Sequence, residues 1–194
     1  MDNLPHPDRI WFISDTHFGH KNILKYTDRA AETVEQMDQL MIKGWNDVVG
    51  SDDLVYHLGD FGFCGVTRAD DILAQLKGRK RLVYGNHDRG FLKKEKFTRH
   101  WEWIRPYHSF RHEGTRVNLF HFPIAAWDEQ GKGAIHLHGH SHGSYKAEGR
   151  ILDVGIDGPL HQWSPVNLST IFRLLMDRAI HVADGHHNHE ANDV

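Results

Sequence analysis

The chain has 194 residues, enough for one domain with a sizeable core, and its 39% apolar and 25% charged residues are those of a globular protein rather than a disordered one. A net charge of −3 counts against a protein that grips long stretches of nucleic acid through many phosphates, although it leaves room for a local basic patch. A lone cysteine, Cys64, rules out an intramolecular disulfide, and with no long apolar run and no signal-like N-terminus the expectation is a cytoplasmic protein with no membrane span.

In chain order, Ile10-Trp11-Phe12-Ile13 is a short apolar strand that breaks at once into Ser14-Asp15-Thr16-His17. Residues 31–49 carry apolar side chains at helical spacing, and Gly50 to Asp53 read as a turn. Leu54 to Leu58 form a second strand ending in Gly59-Asp60. Residues 70–77 form a second helix closed by Gly78, and Arg81 to Tyr84 a third strand ending in Gly85-Asn86-His87-Asp88. This β, α, β, α, β order predicts parallel strands with right-handed crossovers. Beyond it, residues 104–110, 116–122, 134–137, 150–154 and 170–175 read as closely spaced strands of a second, antiparallel or mixed sheet. The expected fold is α/β: two mixed β-sheets packed as a sandwich and flanked by helices, one domain over residues 1–182, with a polar tail at 183–194.

Histidine is unusually frequent, at 18 residues, and several histidines stand just past predicted strands. Five motifs recur there: Asp15-Thr16-His17, Gly59-Asp60, Gly85-Asn86-His87-Asp88, His121 in Phe120-His121-Phe122-Pro123, and Gly139-His140-Ser141-His142. Each alone is weak; in this order, each after an apolar strand, they form a strong joint signal. Alternate residues of an extended chain share a face, so Asp15 with His17, and His140 with His142, can point at neighbouring ions. The glycines before Asp60, Asn86 and His140 allow sharp turns and close backbone approach. Mixed imidazole, carboxylate and amide donors suit Mn, Fe, Co, Ni or Zn better than Mg or Ca.

This motif set resembles that of the calcineurin-like metallophosphoesterases, over residues 10–156. The resemblance implies two divalent transition-metal ions, with Mn first and Fe, Zn, Ni or Co as alternatives. Asp15, His17 and His142 would hold one, Asn86, His121 and His140 the other, and Asp60 would bridge them. It further implies that a hydroxide held by the ions attacks phosphorus, that His87 serves the leaving oxygen or the phosphoryl group, and that Asp88 orients His87 by a hydrogen bond. Asn86 and His87 would also touch substrate, with His20 and Arg68 as further substrate-binding candidates and Arg89 as a second cation to test.

His57 reads as a satisfied core histidine and His138 as a residue beside the ligands; His186, His187 and His189 form a tail cluster with little claim to a site. Protein phosphatases of that superfamily place an aspartate–arginine pair after the second motif, whereas this chain has Gly59-Asp60-Phe61-Gly62-Phe63-Cys64-Gly65. The missing arginine favours a phosphodiester substrate that is nucleotide-like: a nucleotide, a cyclic phosphate or a short nucleic-acid end. Phe61, Phe63 and Trp127 are candidates to stack a base. A phosphomonoesterase on the same site and a non-catalytic metal-binding or interaction module are the alternatives.

Overall fold

The computed structural model describes residues 4–183 apart from 147, 161 and 162. The expected tail, with His186, His187 and His189, therefore lies outside the described residues but for Ala183. Four strands in the first half are parallel neighbours: β1 (Ile10–Ile13), β2 (Leu54–His57), β3 (Arg79–Val83) and β4 (Ile104–Arg105). The crossovers carry α1 (Ile23–Tyr26), α2 (Val34–Val48), α3 (Val66–Gln75) and α4 (Glu95–Thr98). The second sheet contains β5 (Tyr107–His112), β6 (Thr115–Phe120), β7 (Ile135–His138) and β8 (Ile151–Asp153), with β5 antiparallel to β6 and the rest parallel. A short β9 (Val166–Asn167) then returns antiparallel to β1 and leads into α5 (Leu168–Leu175). The expected sandwich of two mixed sheets with helices outside is the fold observed.

Strand periodicity explains the layering. Ile10, Phe12, Leu54, Tyr56, Leu58 and Val83 face Val117, Leu119, Ile135 and Leu137 of the second sheet. The alternate residues Ile13, Val55 and Leu82 face the helices, against Met37, Met41, Trp45, Ile72 and Leu73. Helix α2 begins where Thr33 accepts a hydrogen bond from the Gln36 amide at 3.1 Å, which satisfies one exposed N-terminal donor.

Two expectations are corrected. Residues 104–110 are not one strand: Pro106, which has no N–H to give and a fixed φ, separates β4 in the first sheet from β5 in the second. Residues 170–175 are helix, not strand. Asn167 caps α5 by accepting from the Thr170 amide at 2.9 Å, and Leu168, Ile171 and Leu175 recur at helical spacing into the inter-sheet core.

The sheets are laced together at one end. Ser14, just past β1, pairs with Gly155, just past β8: the Ser14 amide donates to the Val154 carbonyl and the Ile156 amide to the Ser14 carbonyl, each at 3.2 Å. Beneath this seam His57 is fully buried. Its Nδ1 accepts from the Gly59 amide at 3.1 Å, so its Nε2–H faces Thr16 Oγ1 at 3.0 Å, and the threonine hydroxyl donates to the Phe61 carbonyl at 2.7 Å. Burial, only partly opposed by Asp15 and Asp60, brings the His57 pKa down to about 3. The unfolded chain takes up this proton near pH 6.5 and the folded chain near 3, so stability falls as pH drops through that interval. In urea unfolding with EDTA present, His57→Gln should lose less stability than the wild type between pH 6.5 and 4, by on the order of 3 kcal/mol. Parallel stability curves for the two chains would contradict a neutral buried His57.

Candidate metal centre

All the motif residues gather at the carboxyl ends of parallel strands: Asp15 and His17 after β1, Asp60 after β2, Asn86 and His87 after β3, His121 after β6, and His140 and His142 after β7. Open α/β sheets place their sites in this crevice. Two groups of donor atoms result, Asp15, His17 and His142 in one and Asp60, His121 and His140 in the other, each with its ligand atoms within 4.8 Å of one another. Asp60 Oδ2 stands between them, 3.4 Å from His121 Nε2 and 3.9 Å from His17 Nε2. Asn86 Oδ1 is 3.1 Å from His121 Nε2.

Local backbone geometry corrects the extended-chain expectation. Asp15, His17, Asp60, His140 and His142 all adopt left-handed conformations, with φ of 53°, 49°, 55°, 65° and 46°. Of the seven non-glycine residues with positive φ among those described, five are these, and each such conformation costs about 1–3 kcal/mol. Tight turns, not strand alternation, aim the side chains. Gly139 shows how closely the turns pack: a Cβ there would lie 2.0 Å from Ser14 Oγ and 2.2 Å from Asp15 Oδ2.

Each buried carboxylate divides its two oxygens. Asp15 Oδ2 accepts from the His140 amide at 2.9 Å, whereas its Oδ1 is buried with no hydrogen-bond partner, 3.7 Å from His17 Nε2 and 3.8 Å from His142 Nε2. Asp60 Oδ1 accepts from the His87 amide at 2.9 Å, leaving Oδ2 to the histidines. His121 Nδ1–H donates to the Leu58 carbonyl at 2.7 Å and His142 Nδ1–H to Asp157 at 2.7 Å, so both rings are fixed with Nε2 turned inward. Both ring nitrogens of His17 are buried without a hydrogen bond. Orphaned buried polar atoms cost about 1–3 kcal/mol each, and a cation between Asp15 Oδ1 and His17 answers that deficit. The donors therefore fit divalent transition ions.

Electrostatics agree. Burial works against ionisation of Asp15 and Asp60, but the neighbouring histidines outweigh it and hold both carboxyls below their ordinary range. Burial likewise works against charging His121, yet the Asp60 and Asp15 carboxylates lift it to about 9. The pocket attracts positive charge.

Other candidates are placed differently. Asp88 makes no hydrogen bond to His87; its oxygens accept from the amides of Asp60, Phe61 and Gly85 at 2.8–2.9 Å, so it pins two loops and does not orient His87. Burial pushes its carboxyl up to about 6 against those amide bonds. Arg68 is turned away, donating to Asp38 at 2.7 Å across the helix layer, and that commitment removes it from the substrate side. His20 stays beside the centre, its ring 5.5 Å from that of His17. His87 is exposed enough to meet a substrate, with its Nε2 3.9 Å from Asp60 Oδ2. Arg89 is exposed. His138 is buried with Nδ1 bonded to the Gly139 carbonyl and belongs to neither donor group. Phe61 is core, and Trp127 donates to the Ala134 carbonyl and packs on His136; only Phe63 stands at the centre, 4.1 Å from the His20 ring and 4.5 Å from that of His87.

The family model for calcineurin-like phosphoesterases matches residues 8–193. The chain belongs to the calcineurin-like phosphoesterase family. Family membership makes it a metal-dependent phosphoester hydrolase. It is 32% identical over 174 residues to an uncharacterised protein of Methanocaldococcus jannaschii, covering 86% of this chain and 91% of that one. The gene 66 protein of Mycobacterium phage L5 is 31% identical over 178 residues, covering 76% and 86%. Among solved structures, a protein of unknown function from Aquifex aeolicus superposes with a TM-score of 0.67 at 26% identity, covering 86% of this chain and 98% of that one.

Two residues of this family member escaped sequence reasoning. Arg29, almost wholly buried, donates to both oxygens of Asp157 at 2.9 and 2.7 Å, and to the carbonyls of Thr16 and Asp15 at 2.8 and 2.6 Å. Asp157 in turn accepts from His142. One guanidinium thus ties the Asp15–His17 turn to the His142 ring, and Asp157 is held down to about 2: burial opposes this, but Arg29 and His142 prevail. Replacing Asp157 with Asn should weaken one ion by about 10–100-fold and spare the other, as read by titration calorimetry with Mn. Equal affinities in variant and wild type would contradict this positioning role.

Proposed function

We propose that the protein is a dinuclear phosphodiesterase acting on a nucleotide-like substrate: a nucleotide, a cyclic phosphate or a short nucleic-acid end. The observation that carries the reading is Asp60 Oδ2, one buried oxygen within 4 Å of histidines from both donor groups. In this reading Asp15, His17 and His142 hold one ion, Asn86, His121 and His140 the other, and Asp60 bridges. Manganese is the ion assigned, with Fe, Zn, Ni and Co as alternatives. When bound, the pair would supply Lewis-acid activation of water and cancel charge on the phosphoryl oxygens.

The protein's own groups would do the rest. His87, exposed beside Asp60 Oδ2, is placed to donate to the leaving oxygen or to a phosphoryl oxygen. The diester preference is supported by the state of the arginines. A monoester dianion carries one more charge than a diester, and a guanidinium clamp is the usual answer to it. Arg68 is held by Asp38, and Arg29 by Asp157 and two carbonyls, so neither is free for that clamp, and of the two cations expected from the sequence only the exposed Arg89 is left to serve it. A reducing compartment such as the cytoplasm suits the half-buried Cys64 thiol, whose pKa burial raises to about 11. Among the described residues no helix is long and apolar enough to cross a membrane.

With added Mn, bis-p-nitrophenyl phosphate should turn over faster than p-nitrophenyl phosphate. His87→Ala should lower kcat about 10²–10⁴-fold with metal content unchanged. A monoester rate higher by orders of magnitude would overturn the diesterase assignment. No hydrolysis of any phosphate ester by the loaded wild type would overturn the enzyme reading in favour of a binding module.

A further inference from the structure

Beside His87 lies a cavity of about 480 Å³ whose walls include Phe63, His87, Phe91 and Lys94. The space beside two of its lining glycines is open: a Cβ at Gly65 or Gly90 would meet nothing within 4 Å. Phe63 is 43% exposed, an unusual state for a large apolar side chain this close to a polar centre. Stacking on His20 at 4.1 Å and packing on His87 at 4.5 Å hold its ring in place, and the exposed remainder gives onto the cavity.

The next stretch of chain is strongly basic. Residues 89–99 carry Arg89, Lys93, Lys94, Lys96 and Arg99 against Glu95 alone, in a chain whose net charge is −3. Arg99 is engaged by Asp70 at 2.6 Å. The other four are exposed, and none makes an ion pair with a carboxylate among the described residues. A charge run by itself is commonly a solvated surface. Here it borders a cavity that has an aromatic wall, no carboxylate lining it, and the proposed proton donor on its rim. An aromatic ring beside unpaired cations is the chemistry that takes a base together with its flanking phosphates.

We infer that this cavity and the basic segment bind a single-stranded oligonucleotide end, with a base against Phe63 and neighbouring phosphates along Arg89, Lys93, Lys94 and Lys96. The inference rests on the phosphodiesterase reading and sharpens its substrate class from nucleotide to oligonucleotide. It is compatible with the acidic chain as a whole, because a few local contacts suffice for a strand end where a long duplex would need many.

Binding of fluorescent phosphorothioate hexamers, which resist hydrolysis, to the Mn-loaded protein tests this over 50–300 mM salt, with RNA and DNA arms to tell the two sources apart. Single-strand contacts contribute a slope of about −0.7 per phosphate, so log K against log salt should fall with a slope of about −2 to −3. Lys93, Lys94 and Lys96 changed together to Gln should flatten it by about 2, and the same three changed to Arg should restore it. Phe63→Leu should weaken hexamer binding about tenfold and leave the slope unchanged. A slope near zero, insensitivity to the triple Gln variant, or an unaltered affinity in Phe63→Leu would overturn the inference. Hexamer binding of the expected kind by a chain that cleaves no ester would sink the diesterase reading and leave this surface standing. Cleavage of bis-p-nitrophenyl phosphate without salt-dependent hexamer binding would do the reverse.

Discussion

Asp15 and Asp60 are buried almost completely at the point where the two sheets meet, and both are held in the ionised form. Placing two carboxylates there is costly unless hydrogen bonds and opposite charge surround them. The turns of the active end are arranged around that requirement. Asp15 Oδ2 holds the His140 turn and Asp60 Oδ1 holds the His87 turn, while Asp88 gathers three further amides from the second and third motifs. One oxygen of each of Asp15 and Asp60 braces backbone; the other faces histidine rings.

Seen this way, the strained turns and the tight glycines have a common cause. Five left-handed residues and a Gly139 with no room for a Cβ are tolerated because the braces over-determine them. The cores on either face of the first sheet supply the rigidity, with Phe12, Tyr56 and Phe110 stacked between the sheets and Met37, Met41 and Trp45 beneath the helices. Arg29 extends the same logic outward, since it binds carbonyls of the first turn and the carboxylate behind His142.

Much of this was legible in the sequence, because apolar strands that end abruptly in Asp, Asn and His show where a parallel sheet opens its crevice. The sandwich, the gathering of the motif residues and the role of His57 as a core residue could be read that way. Long-range pairing could not. Arg29 and Asp157 are 128 residues apart and carry no local pattern that joins them. Asp88 sat in a motif that suggested service to His87, yet its place under three amides depends on how the second and third strand ends abut. Pro106 breaks the strand expected at 104–110, and at 170–175 the Asn167 cap and the Leu168, Ile171, Leu175 spacing make a helix in spite of the β-branched Thr170 and Ile171.

The shared position of Asp60 is most directly tested by diffraction from crystals soaked in Mn and recorded at the Mn absorption edge. Two anomalous peaks about 3.5–4 Å apart, one on each side of Asp60 Oδ2, are expected. A single peak, or a pair of peaks that leaves Asp60 out of contact with either ion, would contradict the dinuclear centre.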